Sequence, residues 1–255
     1  MSSDPAIQFR HVTKEYHVEN AVLGGLKNLV LHLPTQIRAM RARKPFCALQ
    51  DLSLEIAQGE SLSVIGRNGA GKSTLLGLIA GVLRPSAGTV VTRGRICPLL
   101  ELGAGFHADL TGRENIVLNG ILLGLTRREV LARLDEIIDF SGLAQFVDRP
   151  LRTYSSGMTA RLGFSVAVHL SPNILLVDEA LAVGDLEFQQ KCLARMQQFR
   201  SDAVTMVFVS HDMESVARVS DRVAWMDGGR LREIGPPQQV IEHYHAFVHP
   251  TVAAA

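Results

Sequence analysis

The stretch that decides the fold is Gly66-Arg67-Asn68-Gly69-Ala70-Gly71-Lys72-Ser73-Thr74. It lies between an apolar run predicted to be a strand, Ser61–Ile65, and a segment with a helical pattern. The pattern G-x-x-x-x-G-K-[ST] in this context is typical of a loop that binds nucleoside triphosphates. Its glycines let backbone N–H groups curl around phosphate oxygens, and the dipole of the following helix favours negative charge there.

The residues of this loop have separate predicted roles. Lys72 is expected to reach the β- and γ-phosphates, and Ser73 to offer its hydroxyl to Mg²⁺. The other positions of the loop that we expect to bind the nucleotide are Gly66, Asn68, Gly69, Ala70, Gly71 and Thr74. The sequence therefore predicts ATP and Mg²⁺ as ligands.

A second apolar run, Ile174–Val177, is followed directly by Asp178 and Glu179. A buried strand that ends in two carboxylates can hold Mg²⁺ and an attacking water. We expect Asp178 to hold the metal and Glu179 to polarise the water or accept its proton. Hydrolysis of ATP fits this pair better than transfer to a second substrate, for which a kinase would need an acceptor site.

The chain alternates between predicted strands and helices. Apolar runs rich in Val, Ile and Leu recur at Ser61–Ile65, Ile174–Val177, Val204–Val209 and Val223–Met226. Such runs predict strands buried on both faces of a mostly parallel sheet, which is the α/β class. Between about 103 and 165 the pattern is mainly helical, with Thr111 and Glu114 as a capping box. Two further helical faces are predicted, Val130/Leu134/Ile137/Ile138 and Phe188/Cys192/Met196/Phe199.

Composition excludes several other classes. The 255 residues carry 26 Lys and Arg against 25 Asp and Glu, a net charge of +1, which argues against a general nucleic-acid binder. No stretch approaches the roughly 18 apolar residues of a membrane span, and the N-terminus has no pattern of a secretory signal. Three isolated cysteines fit a reducing cytosol.

One basic window departs from this balance. Asn20–Gln50 contains Lys27, Arg38, Arg41, Arg43 and Lys44 but no acidic residue. Two interpretations stay open: a local anionic partner, or a solvated surface segment.

Three smaller features have competing interpretations. Ser155-Ser156-Gly157 precedes a predicted helix and is either an anion-binding turn or a plain N-cap. Tyr16 is either an aromatic that stacks on adenine or a core tyrosine. His243, His245 and His249 fit a solvated C-terminal helix better than a metal site.

Taken in order, these motifs resemble the nucleotide-binding subunit of ABC transporters along nearly the whole chain. Tyr154–Met158 lies where the family's LSGGQ signature belongs, with Ser156 and Met158 as departures from it. Ala182-Val183-Gly184-Asp185 corresponds to the D-loop, and His211 to the switch histidine. Glu101 lies near the place of the Q-loop glutamine and would approach Mg²⁺ through water.

Details of these motifs are most similar to ATPases that export O-antigen, capsule or teichoic-acid glycans on polyprenyl lipids, the O-antigen type above all. They are the Tyr-Ser-Ser-Gly-Met and Val-Gly-Asp patterns and the run Glu101–Phe106 before Leu110–Asn115. An exporter of another lipid or of drugs is the alternative. A DNA-repair or chromosome ATPase would have a long coiled coil between Lys72 and Ser155, and this sequence has no such segment there. A translation-factor ATPase would carry two cassettes in one chain, and this sequence contains one.

The resemblance implies a RecA-like P-loop core, an antiparallel N-terminal β-subdomain and a helical signature subdomain. It implies an ATPase domain over 1–235, with a basic helical insertion at about 20–45 and the helical subdomain at about 103–165. Residues 236–255 would be a short C-terminal helix and tail, too short for the glycan-binding domain that some relatives carry. Glycan choice is then expected to lie elsewhere.

The resemblance also implies a mechanism and partners. Two copies would sandwich two ATP molecules, each between the loop 66–74 of one copy and Ser155, Ser156 and Gly157 of the other. Tyr16 would stack on adenine, His211 would contact the γ-phosphate, and Asp185 would lie at the nucleotide site. The homodimer would drive separate transmembrane permease subunits from the cytoplasmic face of the inner membrane, as a peripheral protein. The basic insertion would meet anionic headgroups, a pyrophosphate-linked glycan or the permease, through Arg38, Arg41 and either Arg43 or Lys44.

Overall fold

The computed structural model describes residues 4–16, 45–99, 103, 105–169, 172–178 and 184–248. The strands are β1 (Ile7–Tyr16), β2 (Phe46–Ile56), β3 (Ser61–Ile65), β4 (Ala87–Thr92), β5 (Ile96–Leu99), β6 (Ile174–Asp178), β7 (Thr205–Val209), β8 (Arg222–Asp227) and β9 (Arg230–Gly235). The α-helices are α1 (Lys72–Ile79), α2 (Gly112–Leu122), α3 (Arg127–Ala132), α4 (Leu134–Ser141), α5 (Ser156–Val168), α6 (Leu186–Ser201), α7 (Met213–Val219) and α8 (Pro237–Val248). The basic window predicted as an insertion falls mostly outside these residues.

The described strands form two sheets. An antiparallel sheet has the order β2-β1-β4, and a larger sheet has the order β5-β6-β7-β3-β8-β9. The larger sheet is parallel except where β8 pairs with β9. Each of the four apolar runs predicted as strands is a strand of this sheet. The predicted α/β core with an antiparallel N-terminal sheet and a helical region is therefore confirmed.

Strand β6 illustrates how this sheet is buried on both faces. Ile174 and Leu176 pack on the side of α1 and the N-terminal sheet, whereas Leu175 and Val177 pack on the side of the helical region. Because successive side chains of a strand point to opposite faces, a continuous apolar run serves two cores at once. The carboxyl ends of β3, β6 and β7 consequently form one fixed edge.

The helical region agrees with its prediction except at one joint. Thr111 accepts a hydrogen bond from the backbone N–H of Glu114, and the Glu114 carboxylate accepts one from Thr111, so the predicted capping box is confirmed. The face Val130/Leu134/Ile137/Ile138 belongs to two short helices, because Arg133 has φ −113° and ends α3. The prediction of one helical face was wrong there, although all four side chains still pack into one core.

The C-terminal helix α8 packs on β8 and β9. Trp225 of β8 contacts the ring of Tyr244 at 5.6 Å between centroids, and the Arg232 guanidinium lies 4.1 Å from the ring of Phe247.

Cys97 and Cys192 are buried free thiols, and desolvation raises the pKa of each to about 12. No helix in the described part of the chain is long and apolar enough to cross a membrane.

Candidate nucleotide site

The loop between β3 and α1 forms a cradle that leaves no room for side chains at two of its glycines. Gly71 has φ +101° and lies at the N-terminus of α1, where an added Cβ would approach the carbonyl oxygen of Ala48 to 2.6 Å. A Cβ on Gly66 would overlap the carbonyl oxygen of Met226. The loop thus lies directly on β2 and β8, and only glycine fits at these two positions.

A cavity of about 220 Å³ opens above this loop. Its lining consists of Phe46, Ala48, Asn68, Gly69, Gly71, Lys72, Ser73, Thr74 and Asp178. The side chain of Lys72 is nearly buried, and its ammonium donates to the carbonyl oxygens of Gly66 (2.7 Å) and Arg67 (3.1 Å). These two hydrogen bonds fix the loop around the Lys72 ammonium. The positive charge of Lys72 then lies beside the cavity in which the triphosphate would bind.

The carboxyl edge of the large sheet brings Asp178 to this cavity. Asp178 ends β6 and pairs in register with Val209 of β7, so His211, two residues beyond Val209, emerges at the same edge. The turn there is held by Ser210, whose Oγ accepts from the Asp212 N–H at 3.0 Å. A hydroxyl from Ser73 and a carboxylate from Asp178 on one cavity are oxygen ligands of the kind that Mg²⁺ prefers. The residues present therefore fit a magnesium–nucleotide complex.

Tyr16 lies beside this site without lining the cavity. Its hydroxyl is 3.4 Å from Thr74 Oγ1, and the Lys14 ammonium lies 5.1 Å from the centre of its ring. The side chain is half-buried, so neither the stacking nor the core interpretation is removed by burial. Its position at the end of β1, next to α1, is compatible with a base contact.

The signature residues begin α5, away from the cavity lining. Ser155 is the N-cap, and its Oγ accepts from the Met158 N–H at 3.2 Å, as the N-cap interpretation predicted. Ser155 and Ser156 are exposed, and a Cβ on Gly157 would meet only Ser155 Oγ, at 3.9 Å. The N-terminus of α5 is therefore accessible to a second molecule at Ser155 and Ser156.

Tyr154, the residue before the N-cap Ser155, ties this turn to the segment that contains Phe146. Its hydroxyl donates to the Phe146 carbonyl oxygen at 2.8 Å, and the Gly112 position has space only for hydrogen where a Cβ would overlap that hydroxyl. Burial, and then the charge of Asp148, raises the pKa of Tyr154. A tyrosine phenol is protonated at neutral pH already at its ordinary pKa of about 10, so it acts as a donor here.

Asp185 is the N-cap of α6 and connects that helix to α5. Its carboxylate accepts from the Phe188 N–H at 2.9 Å and from Arg161 Nη1 at 3.3 Å. Arg161 also donates from Nε to the Ser141 carbonyl oxygen at 3.0 Å. No spacing in the sequence indicates the role of Arg161, because its partners come from two segments distant in sequence, at Ser141 and at the start of α6.

Several predicted site residues lie outside the described residues: Glu101, Glu179, Ala182, Val183 and His249. Of the other C-terminal histidines, His243 has its Nδ1 2.9 Å from a carboxylate oxygen of Glu233. One histidine and one carboxylate form an ordinary surface pair here. The contact with Glu233 could not be predicted from the local sequence, because the two residues come from different elements.

Comparison with known proteins agrees with this geometry. The sequence profile of ABC transporters matches residues 49–182. The O-antigen export system ATP-binding protein RfbB of Klebsiella pneumoniae is 52% identical over 241 residues, which cover 94% of this chain and 98% of that protein. The chain belongs to the ABC transporter family. The resemblance inferred from the motifs is confirmed, and this ABC subunit is an ATPase that uses ATP with Mg²⁺.

Two more distant ABC proteins extend the comparison. The teichoic acids export ATP-binding protein TagH of Levilactobacillus brevis is 41% identical, and the match covers 97% of this chain and 66% of TagH. A solved dimeric ATP-binding cassette in a post-hydrolysis state with ADP and Pi superposes with a TM-score of 0.71 at 21% identity, covering 91% of this chain and 98% of that one. The second likeness shows the ABC fold alone.

Proposed function

We propose that this chain is the ATP-hydrolysing subunit of an exporter that moves lipid-linked polysaccharide, of the O-antigen type, across the inner membrane. The observation that carries the proposal is the 52% identity to an O-antigen export protein over 98% of that protein's length. Teichoic acid export is the second candidate, since TagH matches 97% of the chain at 41% identity. The higher identity and fuller coverage favour the O-antigen type.

The proposed working unit is a dimer. Lys72, Ser73 and Asp178 meet at one cavity, whereas Ser155–Gly157 at the start of α5, with both serines exposed, lie outside its lining. A second copy would bring its α5 N-terminus over the γ-phosphate, where the dipole of the helix favours negative charge. ATP bound between two copies would thus complete each site, and hydrolysis would release the pair.

Within each site we assign the following roles. Ser73 and Asp178 would hold Mg²⁺, and the metal would supply positive charge to offset the negative charge that develops on the phosphates. Glu179 accepts a proton from the attacking water, Glu101 approaches the metal through water, and His211 contacts the γ-phosphate. Tyr16 stacks on adenine, and Asp185 lies at the nucleotide site of the dimer.

We further propose that this dimer sits at the cytoplasmic face of the inner membrane as a peripheral component, coupled to separate permease subunits. The cargo would be a glycan on a polyprenyl carrier, and the basic insertion at about 20–45 would face the permease, lipid headgroups or the carrier's pyrophosphate. Charge reversal at Arg38, Arg41 and Lys44 would then impair transport and spare ATP hydrolysis by the isolated protein.

The test replaces the gene in the native host by the Glu179→Gln variant, with the wild-type gene reinserted at the same locus as control. Surface polysaccharide and lipid-linked glycan inside the cell are measured together. Loss at the surface with internal build-up supports glycan export, and the sugar and phosphate content of the retained glycan distinguishes O-antigen from teichoic acid. Unchanged glycan in both places, with the variant expressed and inactive, would contradict the proposed cargo.

A further inference from the structure

One residue outside the phosphate motif stands out in the cavity lining. Phe46, the first residue of β2, lines the cavity together with Ala48 and the loop, yet 56% of its surface is exposed. A large aromatic side chain left in water beside a polar cavity forgoes the stabilisation that burial would give. Because the ring belongs to the cavity lining, the apolar face of a bound ligand would cover it.

Phe46 also lies directly opposite Tyr16. The two residues are register partners of the antiparallel pair β1–β2, and opposing residues of such a pair project to the same face of the sheet. Tyr16 points its hydroxyl at Thr74 and carries the Lys14 ammonium over its ring, whereas Phe46 is the aromatic of the pair that lines the cavity. The two rings therefore flank the end of the loop with different degrees of access to the ligand.

We propose that Phe46 contacts the base of the bound nucleotide and is a second aromatic determinant of affinity beside Tyr16. The proposal rests on ATP binding at the loop, whose N–H groups fix the phosphates and leave the base to find an apolar neighbour. Phe46 and Ala48 provide the apolar side chains of the lining at that end of β2. A phenyl ring has no hydrogen-bonding group, so its contribution is independent of which purine is bound.

The discriminating measurement compares a ligand that has a base with one that lacks it. Titration calorimetry of Mg·ATP, Mg·GTP and Mg·tripolyphosphate is carried out on the wild type, Phe46→Ala and Phe46→Tyr. We expect Phe46→Ala to weaken ATP and GTP by a similar factor, about 5-fold to 100-fold, the range of base–aromatic stacking. Tripolyphosphate should bind within about twofold of the wild type, and Phe46→Tyr should restore nucleotide affinity because it restores the ring.

Two controls keep the outcomes separate. Phe247→Ala removes another exposed aromatic, on α8, and should leave all three affinities unchanged. Lys72→Ala should weaken ATP and tripolyphosphate alike, and if it does not, phosphate binding at the loop is itself wrong. Wild-type ATP affinity in Phe46→Ala, or equal losses of ATP and tripolyphosphate in that variant, would overturn the base contact while leaving the export proposal intact.

Discussion

At the scale of single residues, Lys72 shows how the loop prepares for its ligand. Only 7% of its surface is exposed, and its ammonium bridges two carbonyl oxygens of the loop in which it stands. We expect Lys72→Ala to raise the Kd for Mg·ATP at least about tenfold, because hydrogen bonds to charged groups contribute about 1.5–3 kcal/mol each. Lys191→Ala, which removes an exposed lysine paired with Glu187, is the matched control. Equal affinities in both variants would contradict the assignment of Lys72.

The hydrogen bond from the Tyr154 hydroxyl to Phe146 can be tested by mutation. Tyr154→Phe should lower the free energy of unfolding by about 1 kcal/mol, because the Phe146 carbonyl loses its donor. Gly112→Ala should be more harmful, since its methyl group would overlap that hydroxyl. Combining the two changes should cost less than the sum of the single effects, because a phenyl ring at position 154 removes the worst overlap and leaves only the tighter contacts with the Val147 carbonyl oxygen and the ring. Urea denaturation of the four proteins measures this, and strict additivity would refute the proposed contact.

At the scale of elements, Arg161 joins the signature helix α5 to α4 and α6. It donates to Ser141 and Asp185, and its guanidinium lies 4.9 Å from the ring centre of Phe188. Lysine carries the charge but not the planar fork, so Arg161→Lys should destabilise the protein by about 1–2 kcal/mol and slow ATP turnover. Arg113→Lys, in the exposed pair with Asp148, should change stability by less than about 1 kcal/mol. Equivalent unfolding curves for the two variants would count against Arg161 as a joint.

These elements also show which structural features could be predicted from the sequence alone. Two helix caps, Thr111 and Ser155, and the strand before Gly66 could be predicted, because helix caps and buried strands depend on residues that are adjacent in sequence. The break at Arg133 was not, since both short helices keep the apolar spacing of one continuous helix. The positions of Phe46 and Arg161 could not be predicted from the sequence for another reason. The pairing of β1 with β2 sets the position of Phe46, packing between helices sets that of Arg161, and neither leaves a local sequence pattern.

At the scale of the whole molecule, the start of α5 lies outside the lining of the nucleotide cavity. If each site is completed by a second copy, blocking hydrolysis should leave ATP holding two copies together. We expect Glu179→Gln to form a stable dimer with Mg·ATP and to be monomeric without nucleotide, because water activation fails while binding persists. Light scattering after size-exclusion chromatography measures the mass directly.

The control for this dimer uses a position where the fold leaves open space. A Cβ at Gly157 would meet only Ser155 Oγ, so an arginine there should fit the monomer and obstruct a partner's triphosphate site. Glu179→Gln with Gly157→Arg should therefore unfold at the same temperature as Glu179→Gln, bind ATP and stay monomeric. A dimer of unchanged stability in the double variant would place the contact elsewhere. A Glu179→Gln monomer that binds ATP would refute the sandwich, because each cavity would then act without the partner's α5.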